Sequence, residues 1–248
     1  MRQRALALLA VPALLASAVE IPADRADEIA RLHLNALGGQ ARVDALKAFR
    51  ASGHIFAAGA PARFTIIAAR PNRVRMEFRY EDRILVQASD GIGRPWKLHS
   101  GREPAPSTLM DEISAKSFLA EAEFDDPLVA GAAHGYLPVF DGEATVDGRK
   151  LLRLRVTKNS ADAFFLLVDP DTYFIVLRIE PPAPSGGRQG SIVTRYNDFR
   201  PVAGVLVPHE ISVHADGRLL QQAKIEEIEP NPPLPADIFT RPPPERIP

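Results

Sequence analysis

Six histidines, thirty-one carboxylates and no cysteine bound the chemistry open to this 248-residue chain. Without cysteine there is no thiolate nucleophile, thiolate metal site, disulfide or cysteine-linked lipid. His209 and His214 are the nearest histidine pair, and a spacing of five in an extended segment sends them to opposite faces, so one metal ion cannot use both. His33 shares a helical face with Ala26, Ile29, Ala30 and Leu37, a setting for a hydrogen-bonded core histidine. Asp169 and Asp171 flank Pro170, and Asp125-Asp126 precedes Pro127; both read as turn chemistry. Glu226, Glu227 and Glu229 read as a solvated strand face. No HExxH, GxSxG or phosphate-loop motif occurs, and Gly91-Ile-Gly93 lacks the third glycine of a dinucleotide fingerprint. The residues therefore nominate no catalytic group, metal ligand or cofactor, and a binding protein is expected rather than an enzyme.

Composition narrows the class further. The chain is 46% hydrophobic and 25% charged with a net charge of −1, the profile of a globular protein and too balanced for counterion-driven nucleic-acid binding. Met-Arg-Gln-Arg, an apolar run from Ala5 to Ala16 and Ala16-Ser17-Ala18 match an export signal cleaved after Ala18. That run is too short to span a bilayer, where about 20 apolar residues are needed. Losing Arg2 and Arg4 takes the net charge from −1 to −3, and a periplasmic location without a transmembrane span is expected.

Periodicity supplies the elements that must position any site. Asp24 to Leu37 predicts a helix with Asp24 as N-cap and Gly38-Gly39 as stop, and Ala41 to Phe49 predicts a second. Beyond Ser52 the period becomes two. Phe64, Ile66 and Ala68, then Val74, Met76, Phe78 and Tyr80, alternate with polar or Arg-rich positions across a Pro71-Asn72 turn. Further strands are predicted over 84–88, 96–99, 151–156, 163–168, 173–179, 191–196, 205–214 and 219–228, with turn signals including Asp90-Gly91, Asp147-Gly148, Gly186-Gly187, Ala203-Gly204 and Asp216-Gly217. Ser107 to about Gly131 reads as helical, and the Pro-rich segment 230–248 as a surface wrap. The expectation is one α+β domain over 19–248: about ten antiparallel strands in a strongly curved half-barrel, with helices covering the concave side.

Several landmarks together resemble the LolA/LolB-like outer-membrane lipoprotein-sorting family. These are Arg31 to Gly39 continuing through Val43, Leu46 and Phe49; Asp90-Gly91 followed by Trp96; and Asp147-Gly148-Arg149 through Leu154. Phe165 to Ile179 around Asp169-Pro170-Asp171, Tyr196 to Arg200, Gly204 to His209, and Asn231-Pro232-Pro233 with Phe239 complete the set. The resemblance spans roughly 23–242 and implies an incomplete curved barrel enclosing an apolar cavity for acyl chains. The lipidated cysteine of the family's outer-membrane acceptor branch is missing, so the chain is similar to the soluble branch. The arginine with which the carrier branch fastens its lid is not assigned by motif; Arg63, Arg70 and Arg75 lie in the corresponding region.

The apolar strand residues are then the candidate lining: Phe64, Ile66, Val74, Met76, Phe78 and Trp96 from the first half, and Leu98, Leu152, Leu154, Ile175 and Leu177 after them. At about 0.8 kcal/mol per buried CH₂, a 16-carbon chain gains on the order of 12 kcal/mol if fully sheathed, so reversible carriage needs a self-packed empty state. Leu109, Ile113 and Phe118 are expected to supply it as a lid. The expected function is a carrier for the acyl chains of lipoproteins or lipids, with envelope proteins as donor or acceptor. The alternatives are an envelope sensor or scaffold that binds a protein partner and, behind it, a hydrolase of unrecognised type.

Overall fold

A computed structural model describes residues 23–57, 59–101, 106–158, 163–182 and 190–243. The expected export signal, the Gly186-Gly187 turn, the Asp24 side chain and the last five residues of the Pro-rich segment lie outside the described residues. Thirteen strands form one antiparallel sheet that does not close on itself. Strands β1 (Ala48–Ala57), β2 (Ala60–Ala69), β3 (Arg73–Tyr80), β4 (Arg83–Ser89), β5 (Trp96–Ser100) and β6 (Thr108–Leu109) form a meander running outward from the middle of the sheet to one edge. A second meander, β7 (Tyr136–Val146), β8 (Arg149–Lys158), β9 (Phe164–Val168), β10 (Ile175–Glu180), β11 (Ile192–Val202), β12 (Val205–Ala215) and β13 (Arg218–Pro230), runs from the other edge back to the middle. There β13 pairs with β1. At the two-residue turns Asp147-Gly148, Ala203-Gly204 and Asp216-Gly217 both residues have positive φ, the twist that tight antiparallel hairpins require.

Among the described residues, the one long connection that links the two edges carries helices α3 (Glu112–Glu121) and α4 (Pro127–Ala130). With α1 (Ala23–Ala36) and α2 (Gln40–Ala45) they cover the concave, inner face at one end of the sheet. Ala26 and Ile29 of α1 pack on Leu152, Leu154, Val156, Leu166 and Val168, while Ala115 and Phe118 of α3 pack with Met110 on Ala68 and Val74. The outer face has a different cover. Leu234, Ile238 and Phe239 of the Pro-rich segment pack on Ala48, Ile67 and Ala69, and the Trp96 indole donates to the Phe239 carbonyl at 3.0 Å.

Three strands exceed the predicted ten, and one helix is shorter. The helix expected over Ala41 to Phe49 stops at Ala45, because Phe49 begins the inner-face alternation of β1 that continues through Ala51, Gly53 and Ile55. Gly53 conceals this strand from a reading of apolar periodicity, and packing explains the glycine: a Cβ there would lie 2.0 Å from the Lys224 carbonyl oxygen, beside the bulge where β13 meets β1. Gly53→Ala should therefore cost about 1–3 kcal/mol, read as a lower urea midpoint at unchanged m-value. An unaltered midpoint would mean that this crossing yields at no cost. Strand β7 escaped notice because Pro138 lies in it and Leu137 and Val139 are apolar on its exposed side, a combination tolerated at a sheet edge. The two-residue β6 is too short for any periodicity.

Candidate functional site

Pairing register assigns every strand residue to a face. On the inner face, the row Tyr196, Ile211, Ala223, Ile55, Ala62 crosses five strands, and the adjoining row Ile225, Gly53, Phe64, Phe78, Leu85 crosses five more positions beside it. The cluster centred on Ile55, Ala62 and Phe64 is built from strands alone; no helix side chain joins it. Phe78, Ala223, Ile225 and Ile211 are only partly buried. The inner face thus has a helix-packed end, where Ile29, Met110 and Leu154 are essentially solvent-free, and an apolar trough that continues beyond the helices. Two concavities, of about 390 Å³ (Asp198, Arg200, His209, Glu210, Lys224, Ile225, Glu226) and 340 Å³ (His54, Pro61, Ala62, Arg63, Arg79, Glu81), lie outside it and are lined largely by charged residues.

Four consecutive residues between α3 and α4 hold the edge-to-edge connection down. The Glu123 carboxylate accepts from the Tyr136 hydroxyl and the Lys158 ammonium of β7 and β8. Phe124 lies 5.3 Å from Phe49, centroid to centroid, with the Arg70 guanidinium 4.5 Å from its ring. Asp125 takes two hydrogen bonds from Arg70, which also donates to the Leu46 and Val43 carbonyls at 3.0 and 3.2 Å. Asp126 caps α4 by accepting from Leu128 N and Val129 N, ahead of Pro127 in the first turn.

The other oxygen of Asp126 accepts from His33 Nε2 at 3.1 Å, and His33 Nδ1 donates to the Tyr173 carbonyl at 2.7 Å. Neither a carbonyl nor a carboxylate can donate, so both ring nitrogens must carry protons and the contact is an ion pair. Burial alone would lower the His33 pKa, but the Asp126 charge and hydrogen bond, helped by the Tyr173 carbonyl, raise it. Burial works to raise Asp126, and the His33 charge and hydrogen bond with the two capping N–H groups bring it below the usual carboxylate value. Glu123 is raised, chiefly by burial.

The eleven residues expected to line a cavity divide between the faces. Phe64, Ile66, Val74, Met76, Phe78, Leu152, Leu154 and Ile175 are on the inner face. Trp96 and Leu98 are on the outer face in a cluster with Val86 and Ala88, and Leu177 is on the outer face with Leu151 and Leu167. Of the three residues expected to form a lid, Phe118 is buried at the helix-packed end against Ala68 and Val74, whereas Leu109 pairs with Trp96 and is 47% exposed, and Ile113 is 81% exposed. Met110, one residue from Leu109 and 1% exposed, packs with Phe118 on Ala68 and Val74. Asp169 accepts from Asp171 N and Thr172 N, a turn role, with Arg149 as its ion-pair partner. Among the described residues no group of three potential metal ligands converges, and no helix is long and apolar enough to cross a membrane.

No family model and no curated protein matches this sequence. Solved structures do. An outer membrane lipoprotein-sorting protein domain from Vibrio parahaemolyticus superposes with a TM-score of 0.60 at 9% identity, over 88% of this chain and 97% of that one. A DUF1329 family protein from Desulfovibrio piger gives 0.60 at 11% identity, over 86% and 96%. A LolA superfamily protein from Nitrosomonas europaea gives 0.47 at 14% identity, over 84% and 97%. The open, curved antiparallel sheet packed on one side by few helices is thus a fold shared with the lipoprotein-sorting protein domain and the DUF1329 family protein.

Proposed function

We propose that this protein is an exported, non-enzymatic carrier that shelters acyl chains of lipids or lipoproteins in its inner-face trough. The observation that carries the reading is the apolar strip from Ile211 through Ala223 and Ile55 to Phe64 and Phe78, which no helix side chain joins: Ile55 and Phe64 are buried in it, while Ile211, Ala223 and Phe78 keep part of their surface exposed. The helix-packed end supports reversibility, because Met110 and Phe118 already satisfy part of the apolar surface that a long chain would otherwise claim. The fold shared with a lipoprotein-sorting domain agrees with this use.

Ala223→Trp tests the reading where it is most exposed. Ala223 lies between Ile211 and Ile55 on the trough floor, and an indole there would take the space of a chain while keeping the surface apolar. A fluorescent fatty-acyl probe should bind the parent protein saturably and the variant at least about tenfold more weakly, with little change in thermal midpoint. Mass spectrometry of natively purified protein should find co-purified lipid. A parent protein that retains no lipid and takes up no probe would end the carrier proposal.

A further inference from the structure

We propose that the open end of the sheet docks on a bilayer surface that carries anionic lipid. At that end, away from the helices, the turns β1–β2 and β12–β13 lie side by side, since Phe56 pairs with Gln222 and Ala57 with Gln221. Phe56, Leu219 and Leu220 project there at 46%, 47% and 47% exposure, and the last two fall where the β12–β13 register shifts. On the outer face Lys224, His54, Arg63 and Arg79 stand directly opposite one another on four adjacent strands, two residues behind Phe56 and four behind Leu220.

Like charges in direct cross-strand register destabilise a sheet unless something neutralises them. Glu226 engages His54, and Glu77 engages Arg79, but Arg63 and Lys224 have no ion-pair or hydrogen-bond partner among the described residues. Arg218, in the β12–β13 hairpin at the rim, is exposed. Carboxylates are interspersed: Glu210 faces Lys224 from β12 and accepts from Gln222, Glu226 adjoins Lys224, Glu81 and Asp82 sit on the β3–β4 turn, and Asp216 accepts from the Ser191 N–H, while Arg63 and Lys224, the cations without an ion-pair partner among the described residues, flank β1 on either side. The contact is therefore centred on the β1 and β13 side. The two residues of strand behind Phe56 measure about 6.6 Å and the four behind Leu220 about 13 Å, which fits apolar side chains immersed about 5–10 Å into the boundary with the cations near the level of the phosphates. The 340 Å³ concavity is walled by Pro61 and Ala62 and by His54, Arg63 and Arg79, with the Glu81 carboxylate among them, so it gathers cations beside the rim without forming a dedicated phosphate seat. The proposal does not depend on the trough holding a ligand, although it would bring the trough mouth to a lipid source.

Sedimentation with vesicles made of equal parts phosphatidylglycerol and phosphatidylcholine tests this on the full chain. The parent protein should bind these vesicles, ignore pure phosphatidylcholine and lose affinity as salt rises. R63Q/K224Q should weaken binding about 25-fold, at about fivefold per cation removed. L219S/L220S should weaken it at least about tenfold while keeping the parent's thermal midpoint, and F56S provides an independent rim variant. Failure of the parent protein to bind anionic vesicles at low salt, or equal binding by all variants, would overturn the proposal; a rim that serves an acidic protein partner would give the first result. Uptake of a soluble acyl probe without vesicles separates the two proposals. If the probe binds and vesicles do not, docking falls and carriage stands; if vesicles bind and the probe does not, the reverse holds.

Discussion

Asp126→Ala should lower stability by about 3 kcal/mol, read from denaturant unfolding. The change strands the His33 imidazolium, which is 2% exposed, and uncaps α4 at once. The lower part of the range for broken buried pairs applies because the Asp126 side chain keeps 30% exposure. The pair also sets a pH dependence. The folded pKa of His33 lies above 6.5, so its stabilising contribution is complete below 6.5 and disappears as pH rises through the raised folded value. Asp126 lies below 3.8 when folded; its contribution is present above 3.8 and disappears as pH falls through the lowered value. The thermal midpoint should fall from weakly acidic toward alkaline buffer, and His33→Gln should flatten that limb. An identical alkaline slope in parent and variant would assign the effect to other groups.

Arg70→Met should cost about 3 kcal/mol and free the edge-to-edge connection. The methionine keeps apolar bulk beside Phe124 but abandons Asp125 and the Leu46 and Val43 carbonyls. Both ends of the ion pair are largely shielded, at 24% and 17% exposure, so water recovers little of the loss. Arg70→Lys should recover the charge and not the fork of donors, giving an intermediate result. Hydrogen exchange is the discriminating measurement: amides over 112–130 should exchange faster in Arg70→Met while those of β8 and β9 keep their protection. Uniform acceleration would indicate global destabilisation instead of local release.

Alternation within a strand was legible from residue types, and it placed Phe64, Ile66, Val74, Met76 and Phe78 together correctly. Two physical facts were not legible. The face of one strand relative to the next depends on register, and pairing Val86 with Glu77 and Leu98 turns Trp96 and Leu98 outward. The other is a bulge: Ile175 opposes Val168 while Leu177 opposes Leu167, so the extra Val176 inverts a spacing of two that reads as a shared face. The clamp of Glu123, Asp125 and Asp126 left only a hint. The Asp-Asp-Pro run reads as a turn, but the clamp's partners Arg70, His33 and Lys158 lie 55, 93 and 35 residues away in sequence, beyond the reach of local pattern.

The seam between β1 and β13 has a consequence for biosynthesis. Every other pair in the thirteen-stranded sheet joins neighbours in sequence and can zip as soon as both strands are available, whereas Ala48–Ala57 must wait for Arg218–Pro230. Until the final strand emerges, one side of β1 remains an unpaired template at the centre of the future sheet, open to strands of other nascent chains. A protein built this way completes its middle last, and the step that joins its halves is also the one most exposed to misassembly.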